Sequence, residues 1–236
     1  MATVSDDGVV TAVGDGTAEI TVRTSDGGYC ATCTISTIVE SMVDLGLSVK
    51  WASFNVGASC PLEYGDYFAW GETEPKSNYS WSTYKWCKAS SSSMTKYCTN
   101  SSYGYNGFMD NKTVLAPEDD AAAVSRDGSW RIPTLTEWQE LLENCTKTWT
   151  TLNGIYGRKF TSNKSGYTNK WIFLPAAGYR FDTSNNLVGS MGYYWTSSLN
   201  ADYPSIAYYV DFGSDYVRWG SAHRYDGLPI RPVCDK

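Results

Sequence analysis

The sequence predicts an α+β fold, with two helices set among many short antiparallel strands. Short alternating apolar and polar runs between Gly/Asp clusters, as at residues 9–13 and 18–23, are the signature of strands and hairpins. Helix-start chemistry stands out at two places: Pro117 ahead of Glu118, Asp119 and Asp120, and Thr134-Leu135-Thr136-Glu137 ahead of Trp138. The other Trp-, Tyr- and Gly-rich stretches fit short strands joined by glycine turns better than helices.

The 236 residues suffice for one large domain, or for a domain plus a fragment. A hydrophobic share of 42% with 15% aromatics is globular, and a net charge of −6 offers no basic patch for nucleic acid or an anionic membrane. No apolar run approaches the roughly 18 to 20 residues of a membrane helix. Met1 is followed by Ala2-Thr3-Val4-Ser5-Asp6 and not by a basic and then apolar leader, so no signal segment is expected in this chain. The seven cysteines are odd in number, leaving one thiol unpaired or intermolecular if the rest are oxidised. Cys87 and Cys98 flank a short polar loop and form a candidate disulfide. Cys30 and Cys33, a CxxC in a β-rich segment without a matching second ligand pair, read as two strand residues.

In chain order, residues 1–37 form a β segment with turns at Gly14-Asp15-Gly16 and at Ser25-Asp26-Gly27-Gly28. Residues 38–42 are the expected linker, and residues 43–236 the main domain. Residues 78–107 are polar and aromatic with few periodic apolar positions, which predicts an extended surface excursion. The acidic residues after Pro117 complement the dipole of the first helix. In the second, Thr134 and Glu137 make a capping box, and Trp138, Leu141, Leu142 and Cys145 share one face. Strands are expected at 154–160, 171–180, 206–212, 216–219 and 228–233, with a loop from Gly220 to Asp226.

Residues 193–233 have the composition of a binding surface. Tyr and Trp offer large amphipathic contact area while freezing few torsions, and Ser, Asn and Gly adapt their hydrogen bonding to a partner. Side chains alternate along a strand, so Ile206, Tyr208, Val210 and Phe212 face one way and Tyr209 and Asp211 the other, where Tyr216 and Arg218 join them. The candidate ligand-binding residues are Tyr203, Tyr209, Asp211, Asp215, Tyr216, Arg218, Trp219, Ser221, His223, Tyr225 and Asp226. Aromatics would anchor the ligand, while Arg218 and the aspartates would set polarity.

The series VDLGLSVKWA, EYGDYFAWGE, WRIPTLTEW, FLPAAGYR, GYYWTSS and LPIRPVC, in this order from Val43 to Cys234, resembles the Fibrobacter succinogenes major paralogous domain of secreted and surface proteins. That family is similar to the formylglycine-generating-enzyme branch of the C-type lectin fold. The resemblance implies an α+β, C-type lectin-like domain with two helices around a twisted antiparallel sheet. Some members of this branch are variable proteins of diversity-generating retroelements, whose C-terminal strands and loops present a hypervariable ligand-binding face, and residues 195–231 occupy the corresponding place. The pattern ATVSDDGVVTAVGDGTAEITV resembles the C-terminal half of a bacterial Ig-like (Big2-type) domain. Such a half-sandwich would need to pack on another domain, swap between chains, or remain loosely held.

Machinery for an enzyme is scarce. His223 is the single histidine, which excludes a three-His iron site, and no Gly-x-Ser-x-Gly elbow accompanies it. The late cysteine pair that holds copper in formylglycine-generating enzymes has no counterpart, since Cys234 alone follows Cys145. Glu118, Asp119, Asp120, Glu137 and Glu140 offer paired carboxylates but sit at helix N-termini, where capping accounts for them. Asp110, Asn111, Asp119 and Asp120 put oxygen ligands of the kind calcium takes close in sequence, without EF-hand spacing; solvation and capping explain them equally. The expectation is a non-enzymatic, cell-surface or secreted protein that binds a protein or glycan and needs no cofactor. The alternative is a passive structural module of a surface or adhesin polypeptide.

Overall fold

The computed structural model describes residues 2–13, 16–37, 41–126 and 129–236. Gly14 and Asp15 of the first expected turn, and residues 38–40 of the expected linker, lie outside the described residues. The chain divides into two compact units, Met1–Ser41 and Met42–Lys236.

In the first unit, β1 (Ala2–Val4) pairs antiparallel with β2 (Val10–Ala12), and β3 (Gly16–Arg23) with β4 (Cys30–Thr37). These two hairpins leave Val4, Val9, Val10, Val13 and Val22 exposed. Cys30 and Cys33 are exposed free thiols on β4. Three positions apart on a strand, they point to opposite faces and do not converge on one ion.

The second unit runs through β5 (Met42–Val43), β6 (Val49–Ala52), α1 (Ala121–Ser125), α2 (Leu135–Asn144), β7 (Cys145–Leu152), β8 (Ile155–Ser162) and β9 (Trp171–Pro175). It continues with β10 (Tyr179–Phe181), β11 (Ser184–Asn186), β12 (Gly192–Leu199), β13 (Ile206–Phe212), β14 (Val217–His223) and β15 (Val233–Asp235). Its sheets have the orders β15-β6-β5, β7-β8-β9, β10-β11 and β12-β13-β14, and all their ladders are antiparallel. With 39% strand and 9% helix, the fold is mostly β. This corrects the expected α+β class and its C-type lectin-like pair of helices around one sheet. The Thr134 signal acts where expected, but Pro117 opens only a 3-10 turn, Pro117–Asp119, and α1 begins after it at Ala121; both helices are short. Asp120 caps α1 by accepting from the amides of Ala122 and Ala123, yet α1 is five residues long, and α2 stops at ten where Cys145 turns extended. Neither makes a layer, and the strands divide among several small sheets.

The capping box of α2 is complete: Thr134 Oγ1 accepts from the Glu137 amide at 3.3 Å, and Glu137 Oε2 accepts from the Thr134 amide at 2.7 Å. The helix buries Trp138 and Leu141 with Trp51, Leu174, Tyr194, Val210 and Phe212. A second cluster joins Trp70, Tyr97, Trp195, Ala207, Leu228 and Ile230. Neighbouring strand residues alternate between these clusters, Tyr194 in the first and Trp195 in the second, so β12 and β13 are buried on both faces.

The expected surface excursion at 78–107 is also corrected. It carries almost no regular structure, yet Tyr79, Tyr84, Cys87, Met94 and Cys98 form a third buried cluster with Tyr225. Cys87 and Cys98 are free thiols in it, with Cys87 donating to the Trp81 carbonyl at 3.3 Å and Cys98 to that of Asn100 at 3.2 Å, so the candidate disulfide is absent. Side chains supply the hydrogen bonds that a ladder would otherwise provide. The fully buried Arg224 donates to the carbonyls of Lys96 at 3.0 Å, Tyr97 at 3.1 Å and Pro204 at 2.9 Å, and to the Tyr84 hydroxyl at 2.8 Å. Its guanidinium lies over the rings of Trp70, Tyr84 and Tyr97.

Lysine has a single ammonium and cannot reproduce this fork. Arg224→Lys is expected to lower the unfolding free energy by about 3 kcal/mol or more. Chemical denaturation of the full chain measures it, and a loss below about 1 kcal/mol would mean the carbonyls find other partners.

Candidate functional site

The eleven residues expected on one binding face do not form one. The register of β13 with β14 sets Asp211 opposite Arg218, Tyr209 opposite Gly220, Val210 opposite Trp219 and Tyr208 opposite Ser221. Side chains of directly opposed residues share a face. Tyr209, Asp211 and Arg218 therefore lie on one face, while Trp219, Ser221 and His223 lie on the other. Trp219 packs edge-on against Tyr208 with centroids 5.8 Å apart. Tyr203 stands elsewhere, beside Tyr103, and Asp215 is exposed in the turn after β13. Tyr225 is buried against Trp81, with the ring of His223 stacked on it. The expected loop at 220–226 is corrected as well, because β14 continues to His223 and only residues 224–226 turn. Gly220 is a strand residue: a Cβ there would come within 2.9 Å of the Tyr209 hydroxyl, so its bareness lets the tyrosine ring lie across β14.

The Tyr209 face holds a cleft of about 230 Å³ lined by Tyr179, Tyr193, Tyr209, Ala222, Asp226 and Leu228. Strand parity puts Tyr193 of β12, Tyr209 of β13 and Ala222 of β14 on this side. Tyr179 arrives through backbone bridges from Gly178 to Gly192 and from Arg180 to Gly227, which seat β10 between the start of β12 and the turn after β14. Gly178 makes this possible, having φ of +63° and backbone atoms of Asn186 and Val188 where a side chain would stand. The ring centroids of Tyr179 and Tyr193 are 5.0 Å apart, and those of Tyr193 and Tyr209 5.6 Å. Burial raises the pKa of both Tyr193 and Tyr209, keeping their hydroxyls neutral.

Two carboxylates mark the site. Asp211 is fully buried, accepting from the Tyr216 hydroxyl at 2.9 Å and from Arg218 Nε at 3.1 Å. The Arg218 guanidinium is otherwise exposed and lies over the Tyr216 ring, so Asp211, Tyr216 and Arg218 form an ordered polar rim. Asp226 is 9% exposed, and its Oδ1 is buried without a hydrogen-bond partner among the described residues. Burial pushes its carboxyl up to about 7 against the pull of the His223 backbone, and the nearby Asp182 charge adds to the rise.

The calcium candidates do not converge. Asp110 accepts from the amides of Tyr97, Cys98 and Lys112. Asp119 accepts from the Tyr97 hydroxyl at 2.6 Å and from Lys96, and Asp120 caps α1 and accepts from the Ile132 amide at 2.8 Å. Asn111 lies outside these contacts in a left-handed backbone conformation. Protein donors occupy the oxygens a cation would need, and among the described residues no three His, Cys, Asp or Glu side chains are placed to hold a metal. The larger groove of about 690 Å³ beside Tyr203 is an open hollow between loops, lined by Asn100, Tyr103, Met109 and Asp202. The smaller cleft brings rings together with a buried carboxyl whose Oδ1 has no partner among the described residues, which makes it the stronger candidate.

Composition drew attention to Tyr193, but Tyr179, Ala222 and Leu228 carried no signal for the site.

The Asp226 carboxyl keeps its proton up to about pH 7 in the folded chain, against an ordinary value of 3.8. Its contribution to stability is therefore complete below pH 3.8 and is lost as the pH rises to about 7. Asp226→Asn, neutral throughout, is expected to stabilise the chain by on the order of 2–4 kcal/mol at pH 8 and to change it little at pH 4. Urea denaturation at the two pH values tests this, and equal effects at both would show that Asp226 ionises normally.

The family model that matches spans residues 144–233 and describes a domain of unknown function, DUF8237. The matched region covers less than half of the chain but contains every residue of the tyrosine cleft. No curated protein and no solved structure matches the chain.

Proposed function

We propose that the second unit is a non-enzymatic ligand-binding domain of a cell-surface or secreted protein, and that its ligand seats on the tyrosine cleft and its Asp211–Tyr216–Arg218 rim. The observation that carries this reading is the mounting of the cleft. Partly exposed tyrosines stand on β12 and β13, where Tyr194, Val210 and Phe212 are buried in one core cluster and Trp195, Leu199 and Ala207 in the other. Such a surface loses little conformational entropy when it binds. Tyrosine anchors with adjacent charged groups are the composition of an interface centre. The resemblance of the motifs between Val43 and Cys234 to a family of secreted and surface proteins supports the extracellular setting. A non-catalytic role is favoured because His223 lies on the opposite face of β14 and stacks on Tyr225, with burial lowering its pKa. The titratable groups of the cleft are three phenols and one carboxyl.

Probing glycan and extracellular-protein arrays with the full chain tests the proposal. Selective capture is expected, weakened by about tenfold or more in both Gly220→Val, which displaces the Tyr209 ring, and Tyr209→Leu, which removes its hydroxyl. Thermal denaturation should show both variants folded. No capture, or capture unaffected by either folded variant, would overturn the assignment and favour a passive structural module.

A further inference from the structure

The tyrosine cleft contains a feature that general stickiness does not explain. A carboxylate that is nine-tenths buried is ordinarily matched by a cation or by several donors, and among the described residues no cation is placed against Asp226. Arg218 is engaged by Asp211. Arg180, whose backbone pairs with Gly227, directs its guanidinium to the Lys76 carbonyl at 3.2 Å and over the Tyr79 ring. The other charge acting on Asp226 is Asp182, of the same sign. His223 reaches it through the backbone, while its imidazole stacks on Tyr225. Among the described residues no ion pair reaches Asp226.

What surrounds this carboxylate is suited to positive charge. The rings of Tyr179 and Tyr193 meet at 64° and those of Tyr193 and Tyr209 at 58°, an inclined array and not a flat stack. Aromatic faces carry partial negative charge and attract ammonium and guanidinium groups. At about 230 Å³ the cleft is smaller than the roughly 300–1,000 Å³ of pockets that enclose drug-sized ligands. It suits one compact head group presented on a longer molecule.

We infer that the cleft is a receptor for an organic cation, an alkylammonium or guanidinium group, held by the faces of Tyr179, Tyr193 and Tyr209 with Asp226 as its counter-charge. This rests on the proposed binding role of the same surface and names the chemistry it selects. The cation supplies the partner that Asp226 lacks, and the tyrosines exclude water from the pair. A neutral group of equal shape would leave the carboxylate buried and unpaired, so charge is the basis of discrimination.

Calorimetric titration of the full chain at pH 8 with Nα-acetyl-arginine methylamide, Nα-acetyl-lysine methylamide and tetramethylammonium, against neutral Nα-acetyl-citrulline methylamide, tests the inference. At least one cation is expected to bind saturably, and more tightly than the citrulline compound by about tenfold or more. Asp226→Asn, which leaves the rings in place, should weaken that cation by a similar factor. Equal binding of cation and citrulline, undiminished binding by Asp226→Asn, or no saturable binding of any cation by the folded chain would each overturn the inference. If the arrays show capture sensitive to Gly220→Val while every cation fails, the binding role stands and this ligand class falls.

Discussion

Arg224 is the constraint on which most of the second unit depends. About eighty residues between β6 and α2 contain, where described, one five-residue α-helix, two three-residue 3-10 turns and no strand beyond isolated bridges, yet their aromatic side chains form buried clusters. Backbone in such a region needs partners that no ladder supplies. A guanidinium has five donors in a rigid plane, and that of Arg224 reaches carbonyls from two separate segments, 96–97 and 204, together with one phenol. Three aromatic rings surround the charge with negative faces. Arg231 acts in the same way on another set, bonding the carbonyls of Ala52, Ser53 and Phe173 and the side chain of Asn55. Arg224 thus does for the irregular segments what hydrogen-bonded ladders do for the sheets, and Arg231 ties the end of β6 and Phe173 of β9 to the irregular chain at Ser53 and Asn55.

The same residue ties fold to site. Arg224 opens the short turn that carries Tyr225 and Asp226, and anchoring its side chain anchors that turn. Tyr225 then closes the third cluster, and Asp226 is left at the wall of the cleft. On the other side, β12 and β13 are gripped between the cluster around α2 and the cluster around Trp70 and Trp195. The cleft is therefore assembled from three rigid pieces: a doubly buried strand pair, the β10 turn bound to it through Gly178, and the Arg224 turn. An unsatisfied carboxylate persists only where the surroundings hold it in place, and here they do.

Much of the local structure was legible in the residues. The capping box at Thr134 and Glu137, the buried Trp138 on the inner face of α2, and the strands near 155–162, 171–175 and 206–212 follow from capping chemistry and apolar spacing, which act over a few residues. The mostly β class was not legible, because a helix-start signal says where a helix begins and nothing about how far packing lets it run. The excursion at 78–107 looked superficial because its apolar residues follow neither helical nor strand period. Periodicity reveals only segments that bury one regular face.

The binding face divides in the same way. Composition and strand parity identified Tyr209, Asp211 and Arg218 as neighbours, since alternation along β13 is a local property of the backbone. They could not tell that Gly220 belongs inside β14, that Trp219 and His223 face the other way, or that Tyr179 closes the cleft, because those depend on register and on bridges between distant segments. Nor could they tell that Asp226 is buried with its Oδ1 unpartnered and, among the described residues, without a counter-charge. Chain order states which side chains exist and how each leans on its own strand; burial and the absence of a counter-charge are properties of everything folded around it.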